Sequence, residues 1–415
     1  MEVINQLLQP IPIPRMVKIR QTFEAPEIED VVREVHERLH QLGVLERIDS
    51  GDRVAIAVGS RGVADIPILT REMVRAVRAS GGKPFLIPAM GSHGGATPEG
   101  QKKVLEDLGV TEGFVGAPIH SSMEVEQIGQ LPNGLPIFTD RSAYQADKVI
   151  VINRIKPHTA FRGDVESGLL KMITIGLGKQ KGAEAAHSFG FKYMGEHVPE
   201  MAKVALEKTP IIFGLGTIEN AYDRPARIEV IPAESLIERE PGLLLEAKRL
   251  MPKILIDPID VLVIEEIGKD ISGDGMDPNI SGRFATPYAT GGANAKRVVV
   301  LRLTEKTGGN ANGIGLADIT TKKAFEQTIL EKGYANALTS TVVETVKFPM
   351  FLETEELAIK AGIKTCNAFD LSKVRLVRIQ NTLDLKEIWI SESLIGEAEQ
   401  NDQLTLLSDP LPMNL

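Results

Sequence analysis

The chain contains a single cysteine, Cys366. That scarcity excludes an intrachain disulfide framework, a cysteine-rich zinc site and a cysteine-ligated iron–sulfur cluster. A basic surplus is also missing: 47 Lys and Arg stand against 56 Asp and Glu, a formal net charge of −9. With no long basic run, nucleic acid and anionic membrane are poor partners. No apolar run approaches the roughly 20 residues of a membrane span. The opening MEVINQLLQPIPIP has no charged segment leading into an apolar core, so no secretory signal is expected. Internal repeats and low-complexity tracts are absent too. What remains is 415 residues, 43% hydrophobic and 25% charged. That is a soluble globular composition, long enough for two domains, expected in the cytoplasm and leaving homo-oligomerisation open.

Apolar, β-rich runs recur at residues 53–59, 84–90, 148–155, 211–218 and 260–267. Amphipathic stretches lie at 30–42, 68–79, 98–108 and 194–207, the third opening on Thr97 as N-cap and Pro98 as first helical residue. Short apolar strands alternating with helices predict an α/β fold with mainly parallel sheets. Past about residue 255 two glycine-rich loops appear, 271–283 and 307–318. Strands at 297–303, 375–380 and 387–391 and helices near 322–331 and 354–361 follow. The expected organisation is an N-terminal catalytic and cofactor domain, 1–254, and a C-terminal α/β domain, 255–415, with an active-site cleft between them.

Two motifs invite chemical readings that their context weakens. His36-Glu37-Arg38-Leu39-His40 fits the H-E-x-x-H zinc-hydrolase pattern. Fewer than about forty residues precede it, too few for the sheet such hydrolases build first, so an ordinary amphipathic helix ended by Gly43 is the better reading. Gly176-Leu-Gly-Lys-Gln-Lys-Gly182 is glycine-rich but lacks the phosphate-loop spacing and follows no strand. A solvated loop is expected there.

In parallel sheets ligands gather beyond the carboxyl ends of strands. Those ends carry Arg61, His93 followed by Gly94-Gly95, and Lys156-Pro157-His158. The stretch 156–187 adds Lys171 within an apolar helical run and closes with His187. Two imidazoles and an amine supply a base, a metal ligand and a covalent anchor within about thirty residues. Arg61 suits a carboxylate, which its planar fork binds bidentately. Each histidine alone could equally be a satisfied structural residue, and Lys171 could pair with Glu166 or Asp164 on a helix.

These elements together resemble the nickel-pincer lactate racemase family and its hydroxy-acid racemase and epimerase relatives. The match is carried by Arg61, by Gly91-Ser92-His93 leading to a Thr-Pro-Glu helix start, by Pro157-His158, and by Lys171 with His187 sixteen residues beyond. The resemblance implies a nickel-pincer nucleotide, a pyridinium mononucleotide, joined to Lys171, with His187 as nickel ligand. It further implies His93 and His158 as paired acid/base residues, Arg61 on the substrate carboxylate, and cofactor-synthesis and insertion proteins as partners. Asp277 and Asn279 resemble the family's Asp-x-Asn loop, and Arg283 in the same loop offers a second anionic contact. The chain departs at Val58, where lactate racemases carry a carboxylate, and at Gly94, where they carry arginine. Its His158–Lys171 interval is also about three residues longer. These departures point to a 2-hydroxy acid other than lactate. A lyase or dehydratase using a divalent metal in the same cleft, or a non-catalytic cofactor-binding protein, remain the alternatives.

Overall fold

A computed structural model describes residues 2–60 and 62–414. The chain divides into two compact units, residues 24–251 and residues 2–23 with 252–414.

In the 24–251 unit, continuous β-branched runs form buried parallel strands. Val149, Ile150, Val151 and Ile152 of the Lys148–Arg154 strand are fully buried, which requires both faces of the sheet to be covered. The order across the sheet is Lys83–Pro88, Arg53–Val58, Lys148–Arg154, Ile211–Glu219 and Pro225–Pro232. The first three pairings are parallel and the last is antiparallel. Val58 pairs with both Pro88 and Ile152, so the segments starting at Gly59, Ala89 and Asn153 leave the sheet side by side. Helices Val31–Gln41 and Ile66–Ala79 bury Val31, Val35, Leu39, Leu69, Met73 and Val77 in one core with the strands. This is the three-to-four residue periodicity expected of a covering helix.

The other unit is built on an eight-stranded sheet, with the order Met350–Leu352, Ile319–Thr321, Ala295–Leu303, Ile259–Ile267, Leu376–Ile379, Glu387–Ser391, Met16–Gln21 and Leu404–Leu406. Its first four pairings are parallel and its last three antiparallel. Both sheets are thus mixed, with parallel pairings in the majority in each, three of four in the first and four of seven in the second. The N-terminal strand also belongs here rather than with residues 24–251. Its alternating burial lets it sit between two antiparallel neighbours. No helix among the described residues is long and apolar enough to cross a membrane.

Candidate functional site

The site grows from the Lys148–Arg154 strand. Beyond it the chain runs out through Lys156, which exchanges two backbone hydrogen bonds with Ser167. The 157–166 excursion is therefore a closed loop with His158 near its start. The His158 backbone N–H donates to Glu166 Oε2 (2.7 Å), and the buried Glu166 carboxylate also meets Arg162 (3.2 Å) and Lys248 (2.7 Å). Phe161 lies against the His158 ring at 4.4 Å between centroids. The long interval before Lys171 is thus filled by a loop locked on one buried carboxylate.

Lys171 ends a short helix, Leu169–Lys171, that continues into a π-helical turn, Met172–Gly176. Such turns are rare and are frequently found at functional sites. Asn153 fixes the helix start by donating from its side-chain amide to the Gly168 carbonyl (2.8 Å). Glu240, fully buried on helix Leu236–Leu250, accepts the Leu170 N–H at 2.9 Å. The outcome is that Lys171 Nζ lies 2.9 Å from His158 Nε2. The pairing of Lys171 with Glu166 considered from sequence is not the one adopted, since the Glu166 oxygens meet Arg162, Lys248 and the His158 backbone. His187 sits on the next helix, Lys179–Ser188, and the rings of His187 and His158 lie 5.3 and 6.1 Å from Phe191.

His93 follows the Lys83–Pro88 strand on an exposed loop, where Ser60 Oγ contacts its Nδ1. Gln101 holds that loop by donating to the Gly91 carbonyl (2.8 Å) and the His93 carbonyl (3.3 Å). The Gly91 N–H donates to the Gly176 carbonyl (3.1 Å), joining the His93 loop to the turn after Lys171. Gly94 has φ +64°, and a Cβ there would lie 2.6 Å from the Gln101 backbone nitrogen. The loop folds onto the helix start so tightly that an arginine at this position would need it rebuilt. Arg61 lies outside the described residues.

Burial, and then the neighbouring Lys171, His187, Lys156 and Arg162, holds the His158 imidazole well below its usual pKa. Burial acts oppositely on Glu240, pushing its carboxyl up to about 7 against the backbone N–H groups of Leu170 and Leu169. For Glu240 the folded state therefore holds a proton that the unfolded chain has already released. Its contribution to stability falls as pH rises from about 4.5 to about 7 and is level above that, a change of roughly 3 kcal/mol. Glu240→Gln removes that dependence. Denaturant unfolding should show the variant gaining on the native chain across this window, and parallel curves would contradict it.

The two weakened motifs resolve structurally. His36 Nε2 contacts the buried Glu72 carboxylate (3.2 Å), which also meets Arg71 and Arg75 at 2.9 Å each. His40 is exposed. The glycine-rich run is not a solvated loop. Lys179 is fully buried 3.1 Å from Asp140, and a Cβ on Gly176 would lie 2.7 Å from the Ala89 carbonyl oxygen. The glycine there serves close packing.

The remaining sequence candidates lie in the other unit. Asp277 caps the short helix Pro278–Ser281, accepting from the Asn279 N–H and Nδ2 at 2.9 Å each. Arg283 is engaged by Asp318 (2.7 Å) and by the carbonyls of Ala295 and Lys296, both at 3.1 Å. A second anionic contact from Arg283 is not what this geometry favours.

Residues 7–197 match the lactate racemase N-terminal domain. That match spans 191 of the 415 residues, just under half of the chain. Its structure is similar to that of a Thermotoga maritima protein, with TM-score 0.52 and 15% identity over 87% of this chain and 98% of that one. It is also similar to the lactate racemase apoprotein from Thermoanaerobacterium thermosaccharolyticum, with TM-score 0.50 and 12% identity over 89% and 98%. At these identities the likeness is one of fold. No curated protein matches the chain. Asn153, Gln101 and Glu240, which hold the site together, escaped the sequence reading, and Glu166 was considered there only as a partner for Lys171. Of these four only Glu166 carried a local signal, an acidic residue four beyond Arg162.

Proposed function

We propose that this chain racemises or epimerises a 2-hydroxy acid other than lactate, with a nickel-pincer nucleotide tethered at Lys171. The observation that carries the reading is the Lys171–His158 contact of 2.9 Å just beyond a central parallel strand, with His187 on the following helix. Among the described residues, no group of three or more His, Cys, Asp or Glu side chains is arranged to hold a metal ion by itself. One imidazole, His187, suits a metal whose other donors arrive with the cofactor, and neutral imidazole is a good nickel ligand. Such a group, when bound, supplies the acceptance and return of a hydride.

The protein's own part is binding, orientation and proton movement. Racemisation needs proton transfer at the hydroxyl oxygen with the substrate presented on either face, hence two acid/base groups rather than one. His93 and His158 fill those roles, with His158 entering as a neutral imidazole because burial disfavours its charged form. Arg61 is assigned to the substrate carboxylate. Asp277 and Asn279 are assigned to substrate contacts on the resemblance of their loop. The insertion and synthesis partners follow from the same reading.

The test is a panel of single-enantiomer 2-hydroxy acids incubated with protein made alongside the cofactor-synthesis machinery. Loss of optical activity with at least one member, and none with protein made without that machinery, is expected. Elimination of water from the substrate instead would favour a lyase.

A further inference from the structure

We propose that this chain pairs with a second copy of itself through an apolar face on helix Leu330–Ser340 and the sheet edge beside it. The helix carries its large and small residues the wrong way round. Gly333 and Ala337 turn inward and are buried. Leu330, Tyr334 and Leu338, four residues apart on the opposite face, are 46%, 46% and 78% exposed. A covering helix ordinarily buries its bulkiest apolar side chains. Here the inner face has room only for small ones, since a Cβ on Gly333 would already lie 3.2 Å from Val346 Cγ1. The exposed stripe continues onto the sheet. Phe348 lines a shallow hollow with Leu330 and Tyr334. Its ring lies 4.9 Å from that of Phe325, which stacks on Phe351 at 4.8 Å. Phe351 and Met350 belong to Met350–Leu352, which among the described residues has a neighbouring strand on one side only. Phe325, Met350 and Phe351 are 42%, 53% and 45% exposed, and covering such rings and side chains is favourable.

Area and charge both point to a second copy as the cover. Six apolar side chains of this size, each about half exposed or more, offer on the order of 600 Å². Two such faces together would bury about 1,200 Å², enough for a specific interface before any polar rim is counted. The whole chain carries −9, so two copies repel each other in most orientations. Residues 322–353 are an exception, with four lysines, four glutamates and no other Asp or Arg. Lys323, Glu326, Glu331 and Lys332 are exposed beside the apolar face on the same two helices. Two-fold symmetry sets residue i against j and j against i, so a rim with both signs in equal number can pair with itself. A strongly acidic or basic partner would find no matching surplus here. The edge strand is too short for backbone pairing to hold the contact, so the side chains carry it.

Neither cofactor nor turnover enters the test, so the racemase reading can fail without touching it. Sedimentation velocity of the full-length chain over a concentration series should show a species of twice 45.2 kDa. Leu338→Glu places an unpaired carboxylate in the contact and should weaken the dimer about 30-fold or more. Leu338 is largely in water already, so the variant should fold, with the thermal midpoint as the check. Leu245, 69% exposed on helix Leu236–Leu250 of the other unit, is the control, and Leu245→Glu should leave the dimer unchanged. A wild-type chain that stays monomeric at about 0.1 mM overturns the proposal and leaves the face to a different protein. A dimer that Leu338→Glu does not weaken, or that Leu245→Glu weakens as much, overturns it as well.

Discussion

Replacing His158 with alanine lowers kcat by about 10²–10⁴-fold, the range a positioned general acid or base contributes. His93→Ala falls in the same range. Because two enantiomers have equal free energies, kcat/KM must drop by the same factor in both directions, whichever face each histidine serves. A variant that racemises at an undiminished rate after both replacements removes the two-base account. The acid limb of the kcat/KM profile should also lie below the usual imidazole range. Burial and the neighbouring positive charges depress the His158 pKa, so the ring stays neutral into mildly acidic solution. A limb at or above the ordinary histidine value would mean that the titrating base is another group.

The second large effect concerns stability. Lys179→Ala leaves the fully buried Asp140 carboxylate without its cation 3.1 Å away, and breaking such a pair destabilises by about 3–5 kcal/mol. Asp140 Oδ1 also accepts the Ser142 and Ala143 N–H groups, capping the helix Arg141–Tyr144. Its charge cannot simply be discarded. Lys179 further donates to the Gln101 Oε1 at 3.2 Å, and Gln101 holds the His93 loop. Equilibrium unfolding in denaturant measures the loss. A change below about 1 kcal/mol would return Lys179 to the surface-lysine role expected from the sequence.

The strands that frame the site were legible because their apolar runs are continuous. Residues 148–155 are expected as a strand and Lys148–Arg154 is observed. Thr97 and Pro98 likewise announce the Pro98–Asp107 helix, where Thr97 accepts the Gly100 N–H at 3.1 Å. Helix Leu236–Leu250 was not legible, since Pro241-Gly242 reads as a breaker, yet the helix runs through both. With it were hidden Glu240 and Lys248, whose contacts with Leu170 and Glu166 span 70 and 82 residues of sequence. The strand Met16–Gln21 was concealed by its short alternation and proline-rich flank, although it completes a sheet made chiefly of C-terminal residues. Local pattern marks strands and caps, whereas partners distant in sequence depend on packing that no local window contains. The same limit explains Lys171. Helical spacing offered it Glu166 or Asp164, but the closed 157–166 loop turns Glu166 toward Arg162 and Lys248 and leaves His158 as its neighbour.

The central claim is that Lys171 is the covalent anchor of a nickel-pincer nucleotide. Intact mass of the full chain, produced with and without the cofactor-synthesis proteins and followed by peptide mapping, tests it most directly. The account predicts a single added mass on the peptide bearing Lys171, present only with those proteins and abolished in Lys171→Ala. An unmodified chain that nevertheless racemises its substrate would contradict it.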